Sequence, residues 1–225
     1  MSASLAASVV FLRIHDFARR AASEQARLRA QLEAVVAVTT AEIEPLSRIV
    51  LEASDGVAIV VLRDPQGALR LAQRALTSSA AGLPLSAGLN HGAVQLAGRK
   101  GGEGMTGDGI AVAANVAEFA SASRLLASRA FRDALADAAP GLEAVLVPAG
   151  TFNDPGLRTH ELFGPDATAL RRRSRRYTLA CVALAMALIG AGLAWRISVE
   201  GQEPFVNAML DKVPYFRALV LKVNY

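Results

Sequence analysis

Two short apolar stretches flank a Ser-Asp-Gly segment and dominate the hydrophobic pattern in the first third of the chain. They run over 48–53 and 56–62 and are rich in valine, isoleucine and leucine, which is typical of β-strands. The dipeptide Asp55-Gly56 favours a tight turn, because both residue types tolerate a positive φ at low cost. The pattern therefore predicts a central β-hairpin with Asp55 at its tip, and turn formation alone would account for this aspartate.

The remaining periodicity predicts helices and strands that do not follow a strict βαβ repeat. We expect helices over 18–46, from Asp64-Pro65 onward, over 110–120 and over 129–136, and strands over 8–14, 83–96, 124–128, 142–149 and 157–163. Gly88 and Gly92 indicate a bulge or tight bend within 83–96, and 99–104 is predicted to be a flexible basic loop. This order favours an α+β fold with a mixed sheet covered by helices.

A long apolar segment near the C-terminus accounts for the high mean hydropathy of +0.32. Residues 177–195 contain no charged side chain, and about 20 apolar residues span a bilayer core as a helix. Tyr177 and Trp195 bracket the segment as residues at the two membrane interfaces commonly do. We therefore predict one transmembrane helix over 177–196; a buried core helix is the alternative, but the segment has no polar stripe.

Basic residues precede this predicted span: Arg171, Arg172, Arg173, Arg175 and Arg176. The positive-inside rule then predicts a single-pass membrane protein with a cytoplasmic N-terminal domain and an extracytoplasmic C-terminus. The arginines, with Tyr177 and Trp195, are expected to anchor the chain and to hold anionic lipid. The predicted organisation is a domain over 1–165, a basic linker over 166–176, the span over 177–196, and a tail over 197–225 that lies on the membrane interface or binds a partner helix.

Charge and cysteine content exclude several classes of function. The net charge is +4, but aromatic residues make up only 5% and the densest basic run adjoins the apolar helix. No nucleic-acid partner is therefore expected. The single cysteine, Cys181, lies in the apolar segment, so an intramolecular disulfide, a cysteine-ligated zinc site and thiol catalysis are not indicated.

Four motifs in order resemble the class III nucleotidyl cyclase catalytic domain, the adenylate/guanylate cyclase family. Residues 11–17 (Phe-Leu-Arg-Ile-His-Asp-Phe) are similar to Phe-x-Asp-Ile-x-Gly-Phe, and residues 51–56 (Leu-Glu-Ala-Ser-Asp-Gly) to Lys-x-x-Gly-Asp-Gly. Residues 88–94 resemble Gly-Ile-His-x-Gly-x-Val, and residues 107–116 resemble Gly-Asp-x-Val-Asn-x-Ala-Ala-Arg-Leu. The resemblance covers about 7–165. It implies a ferredoxin-like, cyclase-type sheet and an active site shared between the two domains of a head-to-tail dimer.

The resemblance also implies which positions perform the chemistry. Two carboxylates bind the metal ions, a lysine and its partner read the base, an asparagine orients the ribose, and an arginine stabilises the transition state. The corresponding residues here are Arg13 and Asp55, Leu51 with a position near Gly104, Ala111, and Asn115. Only Asp55 keeps the family residue. A fixed cation at position 13 repels a metal ion, so Asp55 is at most a remnant of the metal site.

These departures predict a catalytically degenerate domain with a regulatory role in cyclic nucleotide signalling. That role is dimerisation, nucleotide sensing, or modulation of a true cyclase or another membrane partner. We expect no cofactor, an Arg13–Asp55 ion pair in place of the metal, and a homodimer or a heterodimer with a cyclase-like domain. One alternative is an active adenylate or guanylate cyclase with unconventional site residues, which would need Mg²⁺ or Mn²⁺. The other is a membrane scaffold that binds no nucleotide.

Overall fold

The computed structural model of the protein describes residues 4–79, 82–99, 102–153, 159–166, 182–183, 185–192 and 195. The chain divides into two compact units, Met1–Asp166 and Ala167–Tyr225. In the described part of the first unit the strands are β1 (Ser4–Ile14), β2 (Arg48–Ala53), β3 (Gly56–Val61), β4 (Leu85–Arg99), β5 (Gly102–Thr106), β6 (Leu125–Ser128), β7 (Leu146–Asn153) and β8 (Thr159–Pro165). The helices are α1 (Ala22–Thr40), α2 (Pro65–Ser78), α3 (Asp108–Phe119) and α4 (Arg129–Ala138).

The strands form one mixed sheet in the order β2-β3-β1-β4-β6-β8-β7, and β5 pairs with the far end of β4. Neighbouring strands are antiparallel except β4 and β6, which are parallel. The prediction of an α+β fold with a mixed sheet covered by helices is confirmed for this unit. The predicted hairpin is also present, because β2 and β3 pair from Arg48–Val61 to Ala53–Gly56.

One side of the sheet, the three-helix face, carries α1, α2 and α4. Alternation along β1 directs Val10, Leu12 and Ile14 to this side, where they meet Leu28 of α1 and Phe131 of α4. All of these side chains are buried. Large aliphatic and aromatic side chains therefore build the main core on this face.

The other side, the α3 face, carries only α3 among the described helices of the first unit, and it is built from smaller residues. Its core consists of Ala7, Val9, Phe11, Ala58, Val60, Val94, Ala113 and Ala117. A Cβ atom at Gly88 of β4 would lie 2.3 Å from the Ala113 carbonyl oxygen and 2.3 Å from the Ala117 nitrogen. Position 88 must therefore be glycine if α3 is to lie this close to the sheet.

Two predictions about 83–104 are wrong. Residues Leu85–Arg99 form one continuous strand rather than a strand, a bend and a strand, since Gly88 and Gly92 serve the approach of α3 instead of a turn. The predicted basic loop over 99–104 overlaps the end of β4 and the start of β5, and these two strands pair from Gln95–Thr106 to Arg99–Gly102. Strand pairing thus overrides the glycine-rich composition.

The first predicted helix is too long at both ends. Phe17–Arg19 and Pro45–Ser47 form short 3-10 turns, and α1 occupies only Ala22–Thr40. The hydroxyls of Thr39 and Thr40 donate hydrogen bonds of 2.8 and 2.7 Å to the carbonyls of Val35 and Val36. These bonds satisfy the hydroxyl groups of two buried threonines at the end of the helix.

The expected positive φ at the hairpin tip is also wrong. Ser54 and Asp55 form the two-residue turn, and neither Asp55 nor Gly56 has a positive φ. Gly56 is instead the first residue of β3, and a Cβ atom there would lie 2.0 Å from the Leu12 carbonyl oxygen. Close approach of β1, rather than turn geometry, therefore requires this glycine.

The described residues of the second unit belong to the apolar segment. Residues 182–183, 185–192 and 195 are helical, and their large apolar side chains, including Met186 and Trp195, are exposed. None of the helices in the described parts of the chain is both long and apolar enough to cross a membrane. The rest of the predicted span over 177–196, the basic cluster from Arg171 to Arg176, and Tyr177 lie outside the described residues.

Candidate functional site

Arg13 and Asp55, the two positions of the implied metal site, lie together at one end of the sheet. The period-two alternation of β1 places Arg13 on the α3 face, after Val9 and Phe11, and its register partner on β3 is Gly56. The Arg13 Nε atom donates a hydrogen bond of 2.7 Å to Asp55 Oδ2. The two side chains are 27% and 29% exposed. A partly buried ion pair therefore joins β1 to the tip of the hairpin.

Further contacts fix this tip. The Ile14 backbone N–H donates a 2.8 Å hydrogen bond to the Asp55 carbonyl oxygen. Arg13 Nη1 also lies 3.6 Å from Glu118 Oε1 of α3. The Arg13 guanidinium therefore contacts two carboxylates, those of Asp55 and Glu118, and links β1, the hairpin tip and α3.

Arg29 of α1 holds the same tip from the three-helix face. Its Nη2 atom donates a 2.8 Å hydrogen bond to the Ser54 carbonyl oxygen, and its guanidinium lies 5.3 Å from the centre of the Phe17 ring. Sequence patterns did not identify Arg29 or Glu118, since these contacts join residues that are far apart in the chain.

The other positions that the resemblance links to catalysis lie elsewhere on the α3 face. Leu51 of β2 is half-buried against the core of this face, Asn115 of α3 is half-buried, and Ala111 of α3 is exposed. No hydrogen bond or ion pair found among the described residues joins any of the three to Arg13 or Asp55. The backbone of Gly104 lies in β5, opposite Ala97.

The residues at this site do not fit a divalent metal ion. Mg²⁺ and Mn²⁺ prefer oxygen ligands, and carboxylates are the side chains that usually supply them. Here Asp55 Oδ2 already accepts from a guanidinium, which offers only donors and stays charged. No cluster of three or more His, Cys, Asp or Glu side chains suited to a metal occurs in the described part of the chain.

A second polar region lies where β4 and β6 meet the first turns of α3 and α4. Ser128 Oγ donates a 2.6 Å hydrogen bond to Asn90 Oδ1, and Asn90 Nδ2 donates at 3.1 Å to the Gly109 carbonyl. A crevice of about 440 Å³ opens beside them. His91 lines it, with Nδ1 3.1 Å from Ser8 Oγ, and burial lowers the pKa of its imidazole. These bonds position both helices on the sheet.

Solved structures share the architecture of the first unit. The chain matches adenylate cyclases of Trypanosoma brucei in their monomeric state with a TM-score of 0.59 and 13% identity, over 72% of this chain and 90% of that one. It matches the adenylyl cyclase CyaB of P. aeruginosa with a TM-score of 0.55 and 12% identity, over 73% and 95% of the two chains. The first unit has the fold of a nucleotidyl cyclase catalytic domain.

A third cyclase fold comes from a dimeric guanylyl cyclase domain, that of the RhoGC fusion protein of the aquatic fungus Blastocladiella emersonii. It matches with a TM-score of 0.55 and 14% identity, over 73% of this chain and 98% of that one. No protein-family model and no curated protein sequence matches the chain. The predicted cyclase-type architecture is thus confirmed as a fold, and the roles of Arg13, Asp55, Leu51, Ala111 and Asn115 stay predictions.

Proposed function

We propose that this chain is a membrane-anchored cyclase-fold domain that does not cyclise nucleotides and regulates a partner instead. The observation that carries the proposal is the 2.7 Å bond between Arg13 and Asp55. In the class III nucleotidyl cyclase family, which this chain resembles, the residues at both of these positions are carboxylates that bind metal ions. A guanidinium that bonds one of them satisfies Asp55 without a metal, and metal-dependent phosphoryl transfer then lacks its ions.

The remaining site positions support the same proposal. The family arginine that stabilises transition-state charge corresponds to Asn115, and such an arginine contributes orders of magnitude in rate. The ribose-orienting position corresponds to Ala111, which has no hydrogen-bonding side chain. A homodimer would lack both halves of the chemistry. Pairing with an intact cyclase domain would leave each shared site without one half.

We infer that the regulatory contact is a pairing with a second cyclase-fold domain through the α3 face. Beside α3, this face carries the half-buried apolar residues Ile49, Leu51 and Ala53 of β2. Burying such surface contributes about 25 cal/mol per Å². The dimeric guanylyl cyclase domain among the matching structures supports pairing as a property of this fold.

Membrane anchoring rests on the segment 177–196 and on the arginines that precede it. The described helical residues 185–192 expose apolar side chains, as a helix in contact with lipid does. We expect a reporter fused after Tyr225 to behave as extracytoplasmic. Cytoplasmic reporter activity, with the protein in the membrane fraction, would contradict the orientation.

The central experiment is a cyclase assay of the purified full chain with ATP or GTP and Mn²⁺. We expect no cyclic nucleotide above a boiled control. Turnover that is lost in Asp55→Ala and kept in Asp133→Ala, a change at an exposed aspartate of α4, would contradict the proposal and establish an active cyclase.

A calorimetric titration with ATP and GTP, with and without Mn²⁺, separates the two non-enzymatic roles. Binding without turnover supports nucleotide sensing, whereas the absence of any heat of binding supports a scaffold that acts through protein contacts alone. Binding that requires Mn²⁺ would contradict the replacement of the metal by Arg13.

A further inference from the structure

Strand β2 forms one end of the sheet among the described residues, so one of its edges has no neighbouring strand. In an antiparallel pair, residues that bond to the neighbour alternate with residues whose backbone groups point away. The Leu62 N–H donates a 2.9 Å hydrogen bond to the Ser47 carbonyl, so the backbone groups of Ser47 point toward β3 and its extension. The backbone groups of every second residue after Ser47 point the same way. Arg48, Val50 and Glu52 therefore direct their backbone N–H and C=O groups outward.

Beside this free edge lies an apolar crevice of about 190 Å³ between β2 and α1. Val50 and Glu52 line it from the strand, together with Leu32 and Val36 of α1. Val50 is 44% exposed although its neighbours in β3 are buried. A free strand edge beside a helix is a geometry that many domains use to bind an added strand.

The charged side chains of β2 indicate which kind of strand would pair with its free edge. Arg48 and Glu52 make no ion pair with any described residue, and Arg48 Nη1 is shielded from solvent without a hydrogen-bond partner in this part of the chain. When a second copy of β2 lies antiparallel with Val50 opposite Val50, Arg48 of each copy stands opposite Glu52 of the other. Opposite charges in directly opposed cross-strand pairs are stabilising.

The same charges exclude other alignments. A shift of the strand register by two residues places Val50 of one copy opposite Arg48 or Glu52 of the other. The remaining charged side chain of each copy then has no opposite charge across from it. A shift by four residues places Arg48 opposite Arg48, or Glu52 opposite Glu52, and like charges in directly opposed pairs are destabilising. The Arg-x-Val-x-Glu pattern of this strand is therefore self-complementary in one antiparallel register.

We propose that β2 pairs edge to edge with β2 of a second copy, with the two-fold axis at Val50. The two sheets then become one continuous sheet, and Val50 of each copy enters the crevice beside α1. This surface differs from the α3 face, because Val50 and Leu51 are adjacent residues that point to opposite sides of β2. The two surfaces therefore act independently.

A charge exchange tests the register in the full chain, purified in detergent micelles, with the dimer dissociation constant measured by sedimentation. Arg48→Glu and Glu52→Arg are each expected to weaken the dimer about tenfold, because each places like charges opposite one another. The double variant Arg48→Glu/Glu52→Arg restores the pairs and is expected to recover most of the loss. Single variants without effect, or a double variant as weak as either single one, would overturn the proposal.

Cross-linking tests the surface itself, in a Cys181→Ser background under mild oxidation. Val50→Cys is expected to form a covalent dimer, since opposed residues of paired strands lie within disulfide reach. Val38→Cys, at an exposed position of α1 that does not line the crevice, is the control and is expected to form no covalent dimer. If Val50→Cys does not cross-link, the edge pairing is wrong; cross-linking of Leu51→Cys in that case would locate association on the α3 face and leave the proposed function intact.

Discussion

The two faces of the sheet differ in how they are built and in what they leave available. The three-helix face is covered by α1, α2 and α4 and is filled by large side chains such as Leu12, Ile59 and Phe131. On the α3 face one helix, α3, is described, and it approaches the strands closely over alanines and glycines. It carries the Arg13–Asp55 pair, and Leu51 beside it is only half-buried.

This difference shows where the fold can accommodate unusual residues at the positions that the resemblance links to catalysis. The three-helix face contains most of the buried apolar side chains, so it contributes most of the stability of the domain. The α3 face contributes less buried area and contains the positions that the resemblance links to catalysis. Arg13 can therefore be accommodated on this face, because its charge is balanced by Asp55 and Glu118.

The largest effect is expected for Phe131→Ala on the three-helix face. Phe131 is fully buried, and its loss leaves a cavity that costs about 3–5 kcal/mol of unfolding free energy. Phe119→Ala on α3, where the half-buried ring stacks on Phe152 at 4.8 Å, is the matched control and should cost less. Denaturant unfolding of the full chain measures both. Equal losses would show that the two faces contribute alike.

Overpacking the α3 face should have the next largest effect. In Gly88→Ala the new methyl group meets backbone atoms of α3 at 2.3 Å, so the helix must shift, at a cost of about 1–3 kcal/mol. Gly164→Ala is the control, because its methyl group would have 3.5 Å to the nearest atoms. If Gly88→Ala unfolds at the same denaturant concentration as the wild type, α3 does not lie as close to β4 as the structure shows.

Exchange of the ion pair is expected to have a smaller effect. Arg13→Asp places two carboxylates together and should lower stability by about 1–2 kcal/mol without metal, and Mn²⁺ should recover part of the loss by binding both. Wild-type protein should not respond to Mn²⁺. Thermal melting measures this, with Arg70→Asp as the control, since Arg70 lies 3.8 Å from Asp64 in an exposed pair. Melting points for Arg13→Asp that equal the wild-type value in every condition would refute the pairing model.

The smallest effect concerns pH. Burial lowers the pKa of His91, so the unfolded chain binds this proton more readily than the folded one. The stabilising contribution of neutral His91 is therefore complete above the unfolded pKa of about 6.5 and is lost as the pH falls below it. The melting point of His91→Gln should fall less than that of wild type between about pH 7.5 and about pH 5.5. Parallel pH profiles of the two proteins would show that His91 does not carry the pH dependence of stability.

Local patterns were sufficient for several elements of the fold and of the site. The β2–β3 hairpin follows from two apolar stretches around a short polar turn, since both partners are adjacent in the chain. The start of α2 follows from Asp64-Pro65, and Asp64 Oδ1 accepts a capping hydrogen bond of 2.7 Å from the Gly67 N–H. The side of β1 on which Arg13 lies follows from alternation alone.

Contacts between distant segments decided the rest. Composition predicts a bend at Gly88 and Gly92, because it cannot reveal that a helix will lie against the strand there. It predicts a loop over 99–104, because it cannot reveal the pairing with β4. The sequence by itself determined which residues could form a hairpin, a charged pair or a helix cap, since those choices depend on neighbours in the chain. The tertiary structure was needed to place Glu118 beside Arg13, to place Arg29 at the hairpin tip, and to put β2 at the end of the sheet among the described strands. Strand order and helix placement arise from packing between segments that are far apart in sequence.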